Sequence, residues 1–148
     1  MSKQITFVGV VVLVAAVALL AWAANSIQGQ DPVAFNVQIV SSDALADSGD
    51  KEVARLVVAV NDAKGPVSGL TMSNFIVDTR LVPGGGCSVD LTRVNESRTT
   101  AGAYLLDLIP AAGNASCIWL QGRYLFSVLA SGPTGSGVGV VELAVDPQ

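Results

Sequence analysis

From Phe35 onward the chain changes character every second residue, and this period constrains the fold more than any other feature. Phe35, Val37 and Ile39 alternate with Asn36 and Gln38. In an extended strand successive side chains point to opposite faces, so such a run buries one face and wets the other. The pattern returns along the chain. Val53 to Val60 carries Leu56, Val58 and Val60 on one face and Arg55 on the other. Phe75, Val77 and Thr79 mark a third strand, and Cys87, Val89 and Leu91 alternate with Ser88, Asp90 and Thr92. Tyr104, Leu106 and Leu108 stand opposite Leu105 and Asp107, and Tyr124, Phe126 and Val128 stand opposite Ser127 and Ser131. Val141, Leu143 and Val145 close the series, with Glu142 and Asp146 outward. The intervening stretches "SSDALADSGDKE", "NDAKGPVSG", "PGGG", "NESRTTAG", "PAAGNAS" and "SGPTGSG" are rich in turn formers.

These runs amount to about seven short strands over roughly 115 residues, with no helical period among them. Parallel β/α folds need crossover helices and are excluded. The expected fold is all-β: an antiparallel, immunoglobulin-like sandwich of about seven strands over residues 34–148.

The first 24 residues obey a different rule. Ile5 to Ala24 carries no charge, Lys3 precedes it and Asp31 is the first charge after it. A single hydrophobic helix is expected, with no amphipathic period to make it part of the soluble core. As a signal peptide it has a basic start, an apolar middle and a small-x-small site, Ala21-Trp22-Ala23, with cleavage between Ala23 and Ala24. As a retained anchor, residues 5–24 are about long enough to span a bilayer, with Trp22 at an interface and Lys3 on the cytoplasmic side. A filament-forming helix of the pilin kind is the third reading; the usual processing signal for it is not visible. Residues 25–33 read as a polar linker. The favoured readings place the β domain outside the cytoplasm, in the cell envelope, periplasm or extracellular space.

The charge excludes one class of partner. The chain has eight basic and twelve acidic residues; without Lys3 the balance is −5. No stretch clusters Lys or Arg, so phosphate neutralisation on a nucleic acid is disfavoured. Cys87 and Cys117 are the two cysteines, and in an oxidising compartment one disulfide is the default. It would close a loop of about 30 residues, which the chain-entropy account values at roughly 3–4 kcal/mol.

Catalytic and ligand motifs are sparse. The chain has no histidine, so Ser-His-Asp and Cys-His catalysis are impossible within it. Lys64-Gly65 invites a phosphate reading, but a P-loop places its lysine after the glycines and opens a helix. Here the lysine comes first and Pro66 removes an N–H; the stretch is a turn. Asp43, Asp47, Asp50 and Glu52 crowd one acidic segment with Gly49 for a bend, which makes them the candidate ligands of a calcium site. The competing reading is a solvated loop, and no other cofactor is implied. Trp119 is a core packer or an exposed aromatic for sugar stacking. Asn95-Glu96-Ser97 and Asn114-Ala115-Ser116 match the glycosylation acceptor pattern.

Three stretches add a resemblance. "LVVAVNDAKGPVSGLTMSNFIV", "AGAYLLDLIP" and "WLQGRYLFSVLASG" followed by "GVGVVELAV" resemble, in that order, the strands of bacterial extracellular immunoglobulin-like modules. The likeness covers residues 34–146. It implies a non-enzymatic role in adhesins, surface stalks or accessory domains of secreted enzymes, with a protein or glycan partner. The other expectations are a subunit of a surface filament or secretion assembly, homo-oligomeric through the N-terminal helix or a donated strand, and a calcium- or carbohydrate-binding accessory module.

Overall fold

The computed structural model describes residues 33–43 and 53–145, with side chains at 33–39 and 53–145. The expected leader over 1–24 and its cleavage site at Ala23 and Ala24 lie outside the described residues, as do Asp47, Asp50 and Glu52. Among the described residues no helix is long and apolar enough to cross a membrane.

The strands are β1 (Val33–Ala34), β2 (Asn36–Asp43), β3 (Ala54–Asp62), β4 (Gly65–Pro66), β5 (Phe75–Leu81), β6 (Val89–Glu96), β7 (Ala103–Pro110), β8 (Gly122–Gly132) and β9 (Gly135–Val145). Seven are long, and β1 and β4 have two residues each. They form two sheets, one in the order β1-β9-β8-β5 and one in the order β2-β3-β7-β6, with β4 hydrogen-bonded to β3. Every pairing is antiparallel except the short parallel contact of β1 with β9.

The two-residue period builds the core directly. Ala54, Leu56, Val58 and Val60 of β3 are buried, as are Tyr104, Leu106 and Leu108 of β7. Register sets Leu56 against Leu106 and Val58 against Tyr104. On the facing sheet Tyr124, Phe126, Val128 and Ala130 of β8 are buried, with Tyr124 opposite Leu143 and Phe126 opposite Val141 on β9. Each sheet thus turns one apolar face inward, and stacking the two removes both from water.

Some boundaries differ from the sequence expectation. Asp43, read as part of an acidic loop, ends β2 opposite Arg55. Cys87 precedes β6 rather than belonging to it. The "SGPTGSG" stretch is mostly strand: Gly132 pairs with Gly135, leaving Pro133 and Thr134 as the turn. Its glycines have a packing reason. A Cβ at Gly135 would strike the Val33 carbonyl, and one at Gly137 would strike the Phe35 carbonyl. Only glycine lets residues 33–35 lie this close to β9, where the Phe35 N–H donates to the Ser136 carbonyl at 2.8 Å.

Candidate functional site

The β3–β5 connection, with the β6–β7 and β8–β9 turns, forms one end of the sandwich. It is held by polar contacts made within it. Asp62 Oδ1 accepts from the N–H groups of Lys64 at 2.7 Å and Gly65 at 3.1 Å, the turn chemistry expected of an Asp at this position. Val67 N–H returns to the Val60 carbonyl at 2.9 Å. The Tyr104 hydroxyl donates to the Val67 carbonyl at 2.7 Å and accepts from Leu70 N–H at 3.2 Å. Burial pushes the Tyr104 pKa up, so the hydroxyl stays a donor. Leu70 is buried and Val67 packs against the core. The stretch around Lys64-Gly65 is therefore a turn that closes the core, with the lysine exposed.

Glu96 ties this connection to the next one. Its carboxylate accepts from Gly69 N–H at 2.9 Å and Gly102 N–H at 3.3 Å. The Gly69 bond, with help from the Ser68 hydroxyl and the Gly102 N–H, lowers the Glu96 pKa below its ordinary value of 4.5 against a smaller opposing effect of burial. Gly102 is required here, because its φ is +70° and a Cβ would meet Pro66 and the Val60 carbonyl at 2.8 Å.

The opposite end is covalently pinned. Cys87 and Cys117 are joined by a disulfide across 30 residues, linking the β5–β6 connection to the β7–β8 connection. Trp119 is fully buried beside it and meets the Tyr124 ring edge-on at 5.0 Å. The sugar-stacking reading of Trp119 is thus overturned, because its ring is spent on the core. The other aromatic residues among those described, Phe35, Phe75, Tyr104, Tyr124 and Phe126, are also buried.

What is exposed is aliphatic, and it lies on a sheet face rather than at a loop. Ile76 is 58% exposed, Val138 59%, Val140 61% and Leu81 55%. All four stand on the outer face of β5, β8 and β9. Ile76 is in register with Leu129, and Leu129 with Val138, which makes one row across three strands. Leu81, Leu125 and Glu142 make another. Leu125 and Leu129 are half-buried between their neighbours. Asp78, Ser127 and Val140 form the level between these two rows; there Arg80 pairs with Asp78 at 3.1 Å, and Arg123 pairs with Glu142 at the end of the face. The Arg80 Nε also donates to Ser127 Oγ at 3.0 Å. The outer face of the other sheet is different. There Arg55 pairs with the buried Asp107 at 2.8 Å, and Val57, Leu105 and Ile109 are half-buried. Contiguous exposed apolar surface on a small domain marks a docking site more often than chance placement does.

The alternation argument missed this face, although its signal was present. "FIV", "YLFSVLA" and "GVGVVELAV" are apolar in both phases of the strand period, and a strand with one wet face has no need of the second set. For the calcium candidates, the structure describes only the backbone of Asp43. Among the described residues no group of three or more His, Cys, Asp or Glu is placed to hold a metal, and no buried side-chain nitrogen or oxygen lacks a hydrogen-bond partner. Comparison of the chain with family models, with curated proteins and with solved structures returned no match.

Proposed function

We propose that this chain is an exported, immunoglobulin-like β-sandwich that works as a non-enzymatic interaction module, docking a protein partner on the outer face of β5, β8 and β9. The strand order supports the immunoglobulin-like part. In chain order, β2, β3, β5, β6, β7, β8 and β9 take the places of strands A to G, with A-B-E-D on one sheet and C-F-G on the other. A tyrosine near the start of the sixth of these strands that bonds the backbone just upstream is a further mark of that architecture. Tyr124 does this, accepting from Leu120 N–H at 2.9 Å. Phe126 occupies the position two residues on where many such domains carry a cysteine, and the disulfide here joins two connections instead.

Export is supported by that disulfide, which suits an oxidising compartment, and by the uncharged run from Ile5 to Ala24 behind Lys3. In this reading the run is a signal peptide or a membrane anchor, and the domain sits in the cell envelope or beyond it. The observation that carries the docking role is the exposure of Ile76, Val138 and Val140 on one face, with half-buried Leu129 bridging Ile76 and Val138. An aliphatic face favours a protein partner over a glycan, because sugars are gripped by exposed aromatic rings and the described ones are buried. The test is a V140D variant of the exported full chain. It should keep its thermal midpoint and lose its place in the complex isolated from its own cells. A folded V140D chain that stays in that complex overturns the proposal.

A further inference from the structure

We infer that Asn114 carries a covalently attached glycan, and that Asn95, the other asparagine in an Asn-x-Ser pattern, does not. The inference rests on the export part of the reading above, because the transferases that read this pattern act on chains that leave the cytoplasm. It adds a modification site, and it is carried by what the fold does with each of the two patterns.

Asn114 stands at the tip of the β7–β8 connection. Its N–H donates to the Ala111 carbonyl at 2.8 Å, and its own carbonyl accepts from Cys117 N–H at 3.1 Å, so two tight turns meet at this residue. Both ends of the tip are tied to the fold. Ala111 N–H donates to the Ser88 carbonyl at 3.0 Å, Ala112 N–H donates to Asp90 Oδ2 at 2.7 Å, and Cys117 is bonded to Cys87. Every residue from Ala112 to Ser116 is nevertheless exposed. Asn114 Oδ1 accepts from Ser116 N–H at 3.0 Å, which gathers the acceptor asparagine and the serine of the pattern into one short turn. An enzyme can reach both residues together without opening a strand.

Asn95 is placed differently. It lies within β6 in register with Leu105 of β7, and it is half-buried. Glu96 beside it is held by the N–H groups of Gly69 and Gly102. Ser97 N–H donates to the Ala103 carbonyl at 2.7 Å, and the Ser97 hydroxyl accepts from Thr99 N–H at 3.3 Å and Thr100 N–H at 3.2 Å. Presenting this pattern to an enzyme would undo the end of β6 and the turn that follows it. The folded chain therefore offers one acceptor and withholds the other.

The step is a group transfer in which this chain is only the acceptor. Asn114 Nδ2 forms a bond to the anomeric carbon of a sugar carried on a polyprenyl phosphate or pyrophosphate. The bond from that carbon to the phosphate oxygen breaks, and the lipid phosphate leaves with the electron pair. The proton lost from Nδ2 goes to a base of the transferase.

The test is mass spectrometry of the full chain purified from its own cells. Trypsin cuts after Arg93, Arg98 and Arg123, which puts Asn95 and Asn114 on separate peptides, 94–98 and 99–123. Peptide 99–123 should carry a mass surplus of one or more sugar residues on Asn114, and peptide 94–98 none. Ser116→Ala should abolish the surplus. It removes only the hydroxyl and keeps the backbone N–H that Asn114 accepts from, so its effect reports reading of the pattern rather than a changed loop. An unmodified Asn114, a surplus that survives Ser116→Ala, or a glycan on Asn95 overturns the inference. The cysteines separate this outcome from the export reading. An unmodified Asn114 with Cys87 and Cys117 oxidised removes the glycan alone, whereas alkylatable thiols in the native chain remove export as well.

Discussion

The Tyr124 hydroxyl accepts a hydrogen bond from the Leu120 N–H at 2.9 Å, and this contact fixes how the β7–β8 connection enters β8. The Trp119 ring packs edge-on against the same tyrosine, so the polar tip and the ring face of Tyr124 hold adjacent residues. Tyr124→Phe keeps the ring and removes the acceptor, leaving a partly buried N–H without its partner. The expected loss is about 1–2 kcal/mol, read as a lower urea midpoint at unchanged slope. Trp119→Ala should cost about 3–5 kcal/mol through the cavity it leaves. An unchanged midpoint for Tyr124→Phe would show that the contact carries no stability.

The Cys87–Cys117 bond ties two connections that cross between the sheets. Replacing both cysteines by alanine should lower stability by about 3 kcal/mol, the value of closing a loop of this length in the unfolded chain. The same drop should appear when the native protein is unfolded in reductant. A double variant as stable as the oxidised parent would contradict this.

Glu96 gives the fold an acid-sensitive contact. Its folded pKa is lowered, chiefly by the Gly69 N–H. Its contribution is therefore present in full above the unfolded-chain value and is lost as pH falls through the lower folded value. Glu96→Gln should be less stable than the parent at neutral pH, and the gap should narrow as pH drops below 4.5. Urea midpoints for both chains across that range check the sign; a gap that widens in acid would refute the assignment.

Gly137 is the place where Phe35, the residue between β1 and β2, leans on β9. Gly137→Val would drive a side chain into the Phe35 carbonyl. Overpacking of this kind costs about 1–3 kcal/mol. Amide exchange should speed up at Phe35 and Val37, while Ser136→Ala, whose side chain is exposed, leaves exchange unchanged. Equal exchange in both variants would mean that the glycine slot does not hold the strand.

Much of the fold was legible because alternation reports burial directly. Tyr104, Leu106 and Leu108, and then Tyr124, Phe126 and Val128, face inward as their spacing requires. The turn at Asp62 and Gly65 was legible from its chemistry. The order of strands within each sheet was not, since pairing is a long-range matter on which local period is silent. Neither was the slot at Gly135 and Gly137, because glycine reads as a turn former until the neighbouring backbone is known. The face of Ile76, Leu129, Val138 and Val140 was hidden for a third reason. When both phases of a strand are apolar, the period no longer says which phase is inside, and an exposed docking face looks like more core.

The most direct test of the docking face is photo-crosslinking in the chain's own cells, with a photoreactive residue placed at Val140 or, as a control, at the exposed Lys64. A discrete adduct from position 140 and none from position 64 is the expected result. No adduct from position 140, or the same adducts from both positions, would contradict the claim that this face meets a partner.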